Sequence, residues 1–125
     1  MSIRYSLTAL DCPDALSLAR FYAALTDSTL GPVDSEDPEW VEILDGAGRV
    51  LAFQRVARYV APTWPEGSVP QQAHLDFAVD DLDAAEAHAL GVGAIKDPFQ
   101  PGETFRVYRD PVGHPFCLVL TGGEE

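Results

Sequence analysis

The sequence carries one pattern twice, at an offset of 67 residues. In the first copy a strand-like run leads to Asp14 and then to a helix-like run, and in the second copy the same order surrounds Asp81. Each copy then ends in a hairpin pattern around a turn that begins at Asp45 or at Asp110. Asp45 follows Asp14 by 31 residues and Asp110 follows Asp81 by 29, so the two halves share nearly the same internal spacing. Tandem duplication of one supersecondary unit is the simplest explanation.

Local patterns predict the element order βαβββ in both halves. Alternation predicts the opening strand, and four apolar residues at the spacing of one helix face predict the first helix: Leu18, Phe21, Tyr22 and Leu25. Asp11 and Asp14 favour its N-terminus, and Pro13 suits its first turn. Gly91 and Gly93 are stop signals for the second helix. The predicted elements cover 5–10, 15–25, 29–33, 40–44 and 49–56 in the first half, and 74–79, 81–90, 92–96, 105–108 and 115–120 in the second.

The chain, residues 1–125, is predicted to form one α+β domain, because a chain of this length buries enough surface for a core without disulfides or a structural metal. Its two modules cover about 3–57 and 72–120. A proline-rich linker at 59–71 joins them, since proline opposes both helix and central strand. Trp64 in this linker has two interpretations: it covers an edge of the core, or it lines a ligand pocket.

The net charge of −12, from 20 acidic and 8 basic residues, argues against nucleic acid or an anionic membrane as a partner. A protein with this charge tolerates a cationic ligand better than an anionic one. Apolar runs are too short to cross a bilayer and the start of the chain has no secretory signal pattern, so a cytoplasmic location is expected. Cys12 and Cys117 lie outside any C-x-x-C spacing and are interpreted as small buried hydrophobic residues.

Three segments resemble motifs of the vicinal oxygen chelate superfamily, which includes glyoxalase I, extradiol dioxygenases, and fosfomycin- and bleomycin-resistance proteins. They are Asp14 followed seven residues later by Phe21-Tyr22, the run 74–82 (HLDFAVDDL), and the run 110–116 (DPVGHPF). The resemblance spans almost the whole chain. It implies two βαβββ modules that form a curved mixed sheet around a cavity, with the helices on the outer face, and it implies a homodimer.

The resemblance also implies where metal ligands would lie, on the first and last strands of each module. Carried over by position, these sites are Leu7 and Ala52 in the first half and His74 and Cys117 in the second. Leucine and alanine coordinate no metal, and one histidine with one cysteine makes at most a two-ligand site, whereas open catalytic sites usually keep three protein ligands. No metal cofactor is therefore predicted. A divalent metal stays an alternative, through a shifted strand register or ligands from a partner chain.

Strand alternation places His74 and Asp76 on one face of their strand, with the apolar residues of that strand on the other. By the same parity Gln54 shares the face of Ala52. These residues predict a partly apolar, partly aromatic and acidic pocket of the kind that binds small organic molecules. Two further histidines, His88 on a helix and His114 in a turn, are predicted to lie at the surface.

Two functions fit this pocket. The first is metal-independent binding of a small molecule, cationic or aromatic, by a protein similar to bleomycin-resistance proteins. The second is an enzyme of glyoxalase, lyase or dioxygenase type that uses His74 and Asp76, or a divalent metal at a site not recognised in the sequence. Imidazole beside a carboxylate is suited to proton transfer. Whether the protein is an enzyme stays open at this level.

Overall fold

The computed structural model describes residues 2–121 and divides into two compact units, with the boundary between Tyr59 and Val60. The first unit contains β1 (Thr8–Cys12), α1 (Ala15–Thr26), β2 (Thr29–Leu30), β3 (Trp40–Leu44) and β4 (Val50–Arg55). The second contains β5 (Leu75–Val79), α2 (Leu82–Gly91), β6 (Ile95–Lys96), β7 (Phe105–Arg109) and β8 (Pro115–Leu120). Both units therefore have the predicted order βαβββ.

The two units also share one sheet topology. The strand order is β1-β4-β3-β2 in the first sheet and β5-β8-β7-β6 in the second. In each sheet the opening strand pairs in parallel with the closing strand, and all other pairs are antiparallel. The predicted α+β fold, with two tandem modules of mixed sheet, is confirmed.

Each helix begins at an aspartate that caps it. The Asp14 carboxylate accepts a hydrogen bond from the Ser17 backbone N–H, and the Asp81 carboxylate accepts two, from the N–H groups of Asp83 and Ala84. These bonds satisfy donors that the first helical turn leaves without partners. Because Asp14 is the cap and α1 starts at Ala15, the prediction that Pro13 occupies the first turn was wrong: Pro13 precedes the cap.

Aromatic residues hold each helix or hairpin to its core. In the first unit Tyr22 of α1 stacks on Phe53 of β4, with ring centroids 5.5 Å apart. In the second unit Tyr108 of β7 stacks on Phe116 of β8 at 5.6 Å. All four rings are fully buried. Such ring pairs contribute about 0.5–1.5 kcal/mol beyond the burial of their area.

The strands differ from expectation mainly at their ends. β3 and β8 have the predicted bounds, whereas β1 starts three residues later than predicted and runs on to Cys12. Its register partners on β4 run from Leu51, opposite Thr8, to Arg55, opposite Cys12. β2 and β6 are two residues long, where the sequence predicted five. No helix among residues 2–121 has both the length and the apolar character needed to span a membrane.

Candidate functional site

Three polar side chains meet at the start of β5 in the second unit. His74 directly precedes β5, Asp76 lies within it, and Cys117 is the register partner of Asp76 on the parallel strand β8. His74 Nε2 lies 3.0 Å from Asp76 Oδ1. Each of the three residues offers one atom that could bind a metal, and these three atoms all lie within 4.8 Å of one another. The sequence placed His74 and Asp76 on one face, and the structure joins their side chains and adds the thiol.

The three residues differ in their access to solvent. The side chains of His74 and Asp76 are 33% and 42% exposed, while Cys117 is 4% exposed. The alternation on β5 explains the exposure of His74 and Asp76, since Leu75 and Phe77 point to the other face, where Phe77 packs against Phe116. The group thus runs from a carboxylate at the surface to a buried thiol.

A cleft opens beside this group, with an empty volume of about 240 Å³ that includes space open to solvent. Its lining consists of four hydrophobic or aromatic residues and three polar ones: Trp64, Phe105, Val107, Pro115, Gln71, His74 and Cys117. Because part of this volume is open solvent, the enclosed space is smaller still, and the cleft suits only a small molecule or one part of a larger one.

Gln71 contributes an unusual polar group to the cleft. Its side-chain oxygen, Oε1, is buried and has no hydrogen-bond partner among the described residues. A buried acceptor left in this state costs about 1–3 kcal/mol, so native structures seldom keep one without a water, ion or ligand to satisfy it. Gln71 lies in the linker that precedes β5 and lines the same cleft as His74.

Trp64 forms part of the wall and is anchored from behind. Its ring packs against the buried cluster of Phe105, Val107 and Cys117, which lies in the cleft lining. The Arg109 guanidinium donates a hydrogen bond to the Trp64 backbone carbonyl (2.8 Å) and is itself paired with Asp97 (2.9 Å), which is 3% exposed. Trp64 therefore covers an edge of the core and also lines the cleft, and its role in binding a ligand stays a prediction.

The other predicted site residues lie in the first unit. Leu7 directly precedes β1 and is half-buried, Ala52 in β4 is fully buried, and Gln54 in β4 is exposed. Leu7 and Ala52 bring no metal-binding atom, as the sequence indicated. His88 is exposed on α2, and His114 is half-buried in the turn before β8, so the surface location predicted for His114 holds only in part.

The sequence interpretation of the metal-ligand set was incomplete. It counted His74 and Cys117 as at most two ligands, whereas Asp76 brings the number of candidate ligand atoms in the second unit to three. Histidine, cysteine and carboxylate groups are all zinc ligands. Here, however, the imidazole nitrogen already lies at hydrogen-bonding distance from the carboxylate, and a cation between them would have to replace that contact. The arrangement can act as a His–Asp pair beside a thiol, and it also offers three ligand atoms to a metal.

Sequence reasoning missed Gln71, Phe105, Val107 and Pro115. Three of these had a usable signal. Pro115 lies two residues before Cys117 on the same predicted strand, and so shares its face. Val107 is the cross-strand partner of Cys117, and Phe105 that of Val119, so parity from the predicted hairpin places both on this face as well. Gln71 had none, because it lies in an irregular segment where no periodicity fixes the direction of a side chain.

Comparison with known proteins gives the family. Residues 8–119 match the family model described as a glyoxalase-like domain. No curated protein matches the chain.

Solved structures resemble it in fold. The fosfomycin resistance protein FosX of Listeria monocytogenes has a TM-score of 0.72 at 16% identity, with 100% of this chain and 96% of that chain covered. A glyoxalase/bleomycin resistance protein/dioxygenase family enzyme of Burkholderia phytofirmans PsJN has a TM-score of 0.64 at 16% identity, with 92% and 96% covered. The oxidase ChaP-H2 has a TM-score of 0.66 at 20% identity, with 96% and 94% covered. The duplicated βαβββ fold and the match over residues 8–119 lead to one conclusion: the chain belongs to the glyoxalase-like domain family of the vicinal oxygen chelate superfamily.

Proposed function

We propose that this protein is a metal-independent small-molecule-binding member of the family, and that it holds its ligand in the cleft of the second unit. The observation that carries the proposal is the buried Oε1 of Gln71, an acceptor without a partner among the described residues, in a cleft otherwise rich in apolar and aromatic groups. A few polar groups in a mainly apolar concavity are typical of ligand sites. A ligand with an N–H or O–H group would satisfy Gln71.

The ligand class follows from the rest of the lining. Trp64 and Phe105 offer flat apolar surface, which favours an aromatic ligand. Asp76 is the exposed acid beside the cleft, and the chain carries a net charge of −12, so a positively charged group near Asp76 is favoured over a negative one. A small aromatic molecule with a cationic or hydrogen-bond-donating substituent combines these features. As the resemblance implies, the functional form is expected to be a homodimer, and we place it in the cytoplasm.

Substitution of Gln71 by leucine tests the proposal. The variant removes an unsatisfied buried acceptor, so we expect its free energy of unfolding to equal or exceed that of the wild type, while ligand binding weakens by about tenfold. The measurement is a thermal-melting screen of aromatic amines and amidines, followed by calorimetric titration. Gln72→Leu is the matched control, because Gln72 is exposed and bonds only weakly to the Pro70 carbonyl (3.4 Å). Equal affinity in the wild type and Gln71→Leu would contradict the proposal.

Asp76→Asn separates the charge preference from binding itself. The substitution keeps the size of the side chain and a hydrogen-bonding group for His74, but removes the negative charge. We expect cationic ligands to lose their stabilising effect on melting and neutral aromatic ligands to keep theirs. If cations stabilise both proteins equally, Asp76 takes no part in ligand selection.

The cluster of His74, Asp76 and Cys117 favours a second candidate, an enzyme that uses the His–Asp pair or a divalent metal. Metal content distinguishes the two. Protein purified without a histidine tag is analysed for Ni, Zn, Fe and Mn, and its melting is compared with and without chelator. Metal at one equivalent per chain together with a chelator-sensitive melt would replace the proposal of metal-independent binding with the second candidate.

A further inference from the structure

Gly102 and the ring of Phe105 approach each other so closely that no side chain fits between them. A β-carbon at position 102 would overlap Cε1 of the ring and would lie 2.6 and 2.7 Å from its Cδ1 and Cζ atoms. Carbon atoms that are not bonded to each other rest about 3.5–4.0 Å apart. The φ of Gly102 does not lie in the left-handed region that favours glycine. The ring, rather than the backbone conformation, therefore leaves room for glycine alone.

The same ring forms part of the cleft wall. Phe105 lines the cleft, is 8% exposed, and belongs to the buried cluster with Val107 and Cys117, against which Trp64 packs. Gly102 does not line the cleft itself. Through Phe105, however, the space at position 102 is connected to the shape of the ligand cleft.

The backbone around Gly102 is held to the sheet on both sides. The side-chain amide of Gln100 bonds to a backbone carbonyl and a backbone N–H of β7, at 2.8 and 2.9 Å. The Thr104 carbonyl accepts a hydrogen bond from β8 at 2.8 Å. The end of an aromatic side chain rotates more easily than a backbone fixed in this way, so a side chain at position 102 would displace the Phe105 ring. Because the cluster around the ring is closely packed, the empty space that the ring borders is the cleft.

We propose that Gly102 sets the size of the aromatic group that the cleft accepts, as a positioning residue that acts through the Phe105 ring. The inference rests on the proposed function, because it concerns the same cleft, and it adds what limits the size of the ligand. A larger residue at position 102 would move the ring into the cleft by about 1 Å and narrow it. Glycine thus keeps the cleft open to the larger of two otherwise similar ligands.

Two amidines that differ by one fused ring, benzamidine and 2-naphthamidine, test the inference by calorimetric titration. Both carry the same cationic N–H donors for Gln71, so the ratio of their dissociation constants reports on the size of the ring system. We expect Gly102→Ala to raise the ratio of 2-naphthamidine to benzamidine by about tenfold, because the displaced ring excludes the larger probe first. Gly91→Ala is the matched control in the same unit: a β-carbon there meets no atom within 4 Å, so the ratio should stay at the wild-type value.

A double-mutant cycle tests whether the effect passes through Phe105. Leucine lacks the Cε1 and Cζ atoms that the new β-carbon would meet, so Phe105→Leu should lower the ratio. In that background Gly102→Ala should change the ratio by less than about threefold. A general loss of stability would instead weaken both probes alike and would persist in the double variant. Circular dichroism measures whether each variant folds. If Gly102→Ala does not fold, Phe105→Leu decides, and a ratio that does not fall contradicts the inference.

A crystal structure of Gly102→Ala without ligand separates this inference from the proposed function. We expect the Phe105 ring to be shifted into the cleft by about 1 Å. If the ring has not moved, if the ratio is the same in Gly102→Ala and Gly91→Ala, or if the wild type binds benzamidine but not 2-naphthamidine, the size limit is wrong and the binding function stands. If neither amidine binds to the wild type, the proposed ligand class is wrong and the size limit fails with it.

Discussion

At the scale of single residues, both halves contain the same turn with the same hydrogen bonds. Asp45 accepts hydrogen bonds from the backbone N–H groups two and four residues later, those of Ala47 and Arg49. Asp110 accepts the equivalent bonds from Val112 and His114. In each turn the residue three after the aspartate is a glycine with positive φ, 83° at Gly48 and 98° at Gly113. The shared aspartate and glycine explain why both hairpins were predictable from the sequence.

The surroundings of the two aspartates differ, and this gives a prediction. Asp110 is 1% exposed, whereas the Arg49 guanidinium pairs with Asp45 at the surface and lowers the pKa of its carboxyl group. Asp110→Ala leaves two partly buried backbone donors unsatisfied, so we expect the free energy of unfolding to fall by about 2–3 kcal/mol. Asp45→Ala is the matched control and should have a clearly smaller effect, because water can replace its carboxylate. Urea denaturation of both variants checks the difference, and equal losses would contradict it.

At the scale of elements, an ionic network joins α2 to the second sheet. Glu86 of α2 accepts a hydrogen bond from the Tyr108 hydroxyl (2.9 Å) and pairs with Lys96 of β6 at 2.9 Å. The guanidinium of Arg106 in β7 lies 3.5 Å from Glu86 Oε1. The pKa of Glu86 is lowered, chiefly by the bond from Lys96, and burial raises the pKa of Tyr108. Helix, edge strand and central strand thus share one carboxylate.

This lowered pKa predicts how stability depends on pH. A carboxyl group with a folded pKa below its unfolded value stabilises the fold above the unfolded pKa, near 4.5, and loses this contribution as pH falls through the folded pKa. Glu86→Gln should therefore be less stable than the wild type by about 1 kcal/mol at pH 7, and the gap should close as pH falls below 4.5 and through the folded pKa. Urea denaturation across this range measures it. Asp83→Asn is the control: its side chain is 88% exposed, and its loss should have little effect at any pH.

The elements also show why some boundaries were predictable and others were not. β3 ends, and β8 begins, at a turn with strong aspartate and glycine signals, so these boundaries could be predicted. The end of β1 depends on how far β4 extends beside it, which is a non-local property. β2 and β6 are edge strands of two residues, and their five-residue predictions reflect local propensity without a partner to limit it.

At the scale of the whole molecule, duplication was followed by divergence of chemistry. The three positions that hold His74, Asp76 and Cys117 in the second unit correspond to Leu7, Ala9 and Ala52 in the first, and Ala9 pairs with Ala52 as Asp76 pairs with Cys117. The fold and these equivalences follow from the repeat in the sequence. The contact between His74 and Asp76 cannot be predicted from the repeat, because it depends on side-chain torsions. The lack of a hydrogen-bond partner for Gln71 Oε1 among the described residues cannot be predicted from it either.

The assembled state is the prediction that belongs to this scale. We expect a homodimer, so light scattering coupled to size exclusion should give twice the chain mass of 13.5 kDa. With a net charge of −12 on each chain, mutual repulsion opposes association at low ionic strength, so added salt should strengthen the dimer. A mass of one chain at micromolar concentration in moderate salt would contradict the expectation.

The position of Trp64 gives the protein an optical probe of its own. The chain has two tryptophans: Trp64 lines the cleft and packs against its buried cluster, while Trp40 is 42% exposed and bonds to Glu42. In a Trp40→Phe variant, all indole fluorescence would arise from the cleft wall. Occupation of the cleft would then be visible as a change in emission without any label, and the rate of that change would time the arrival of a molecule in the cleft.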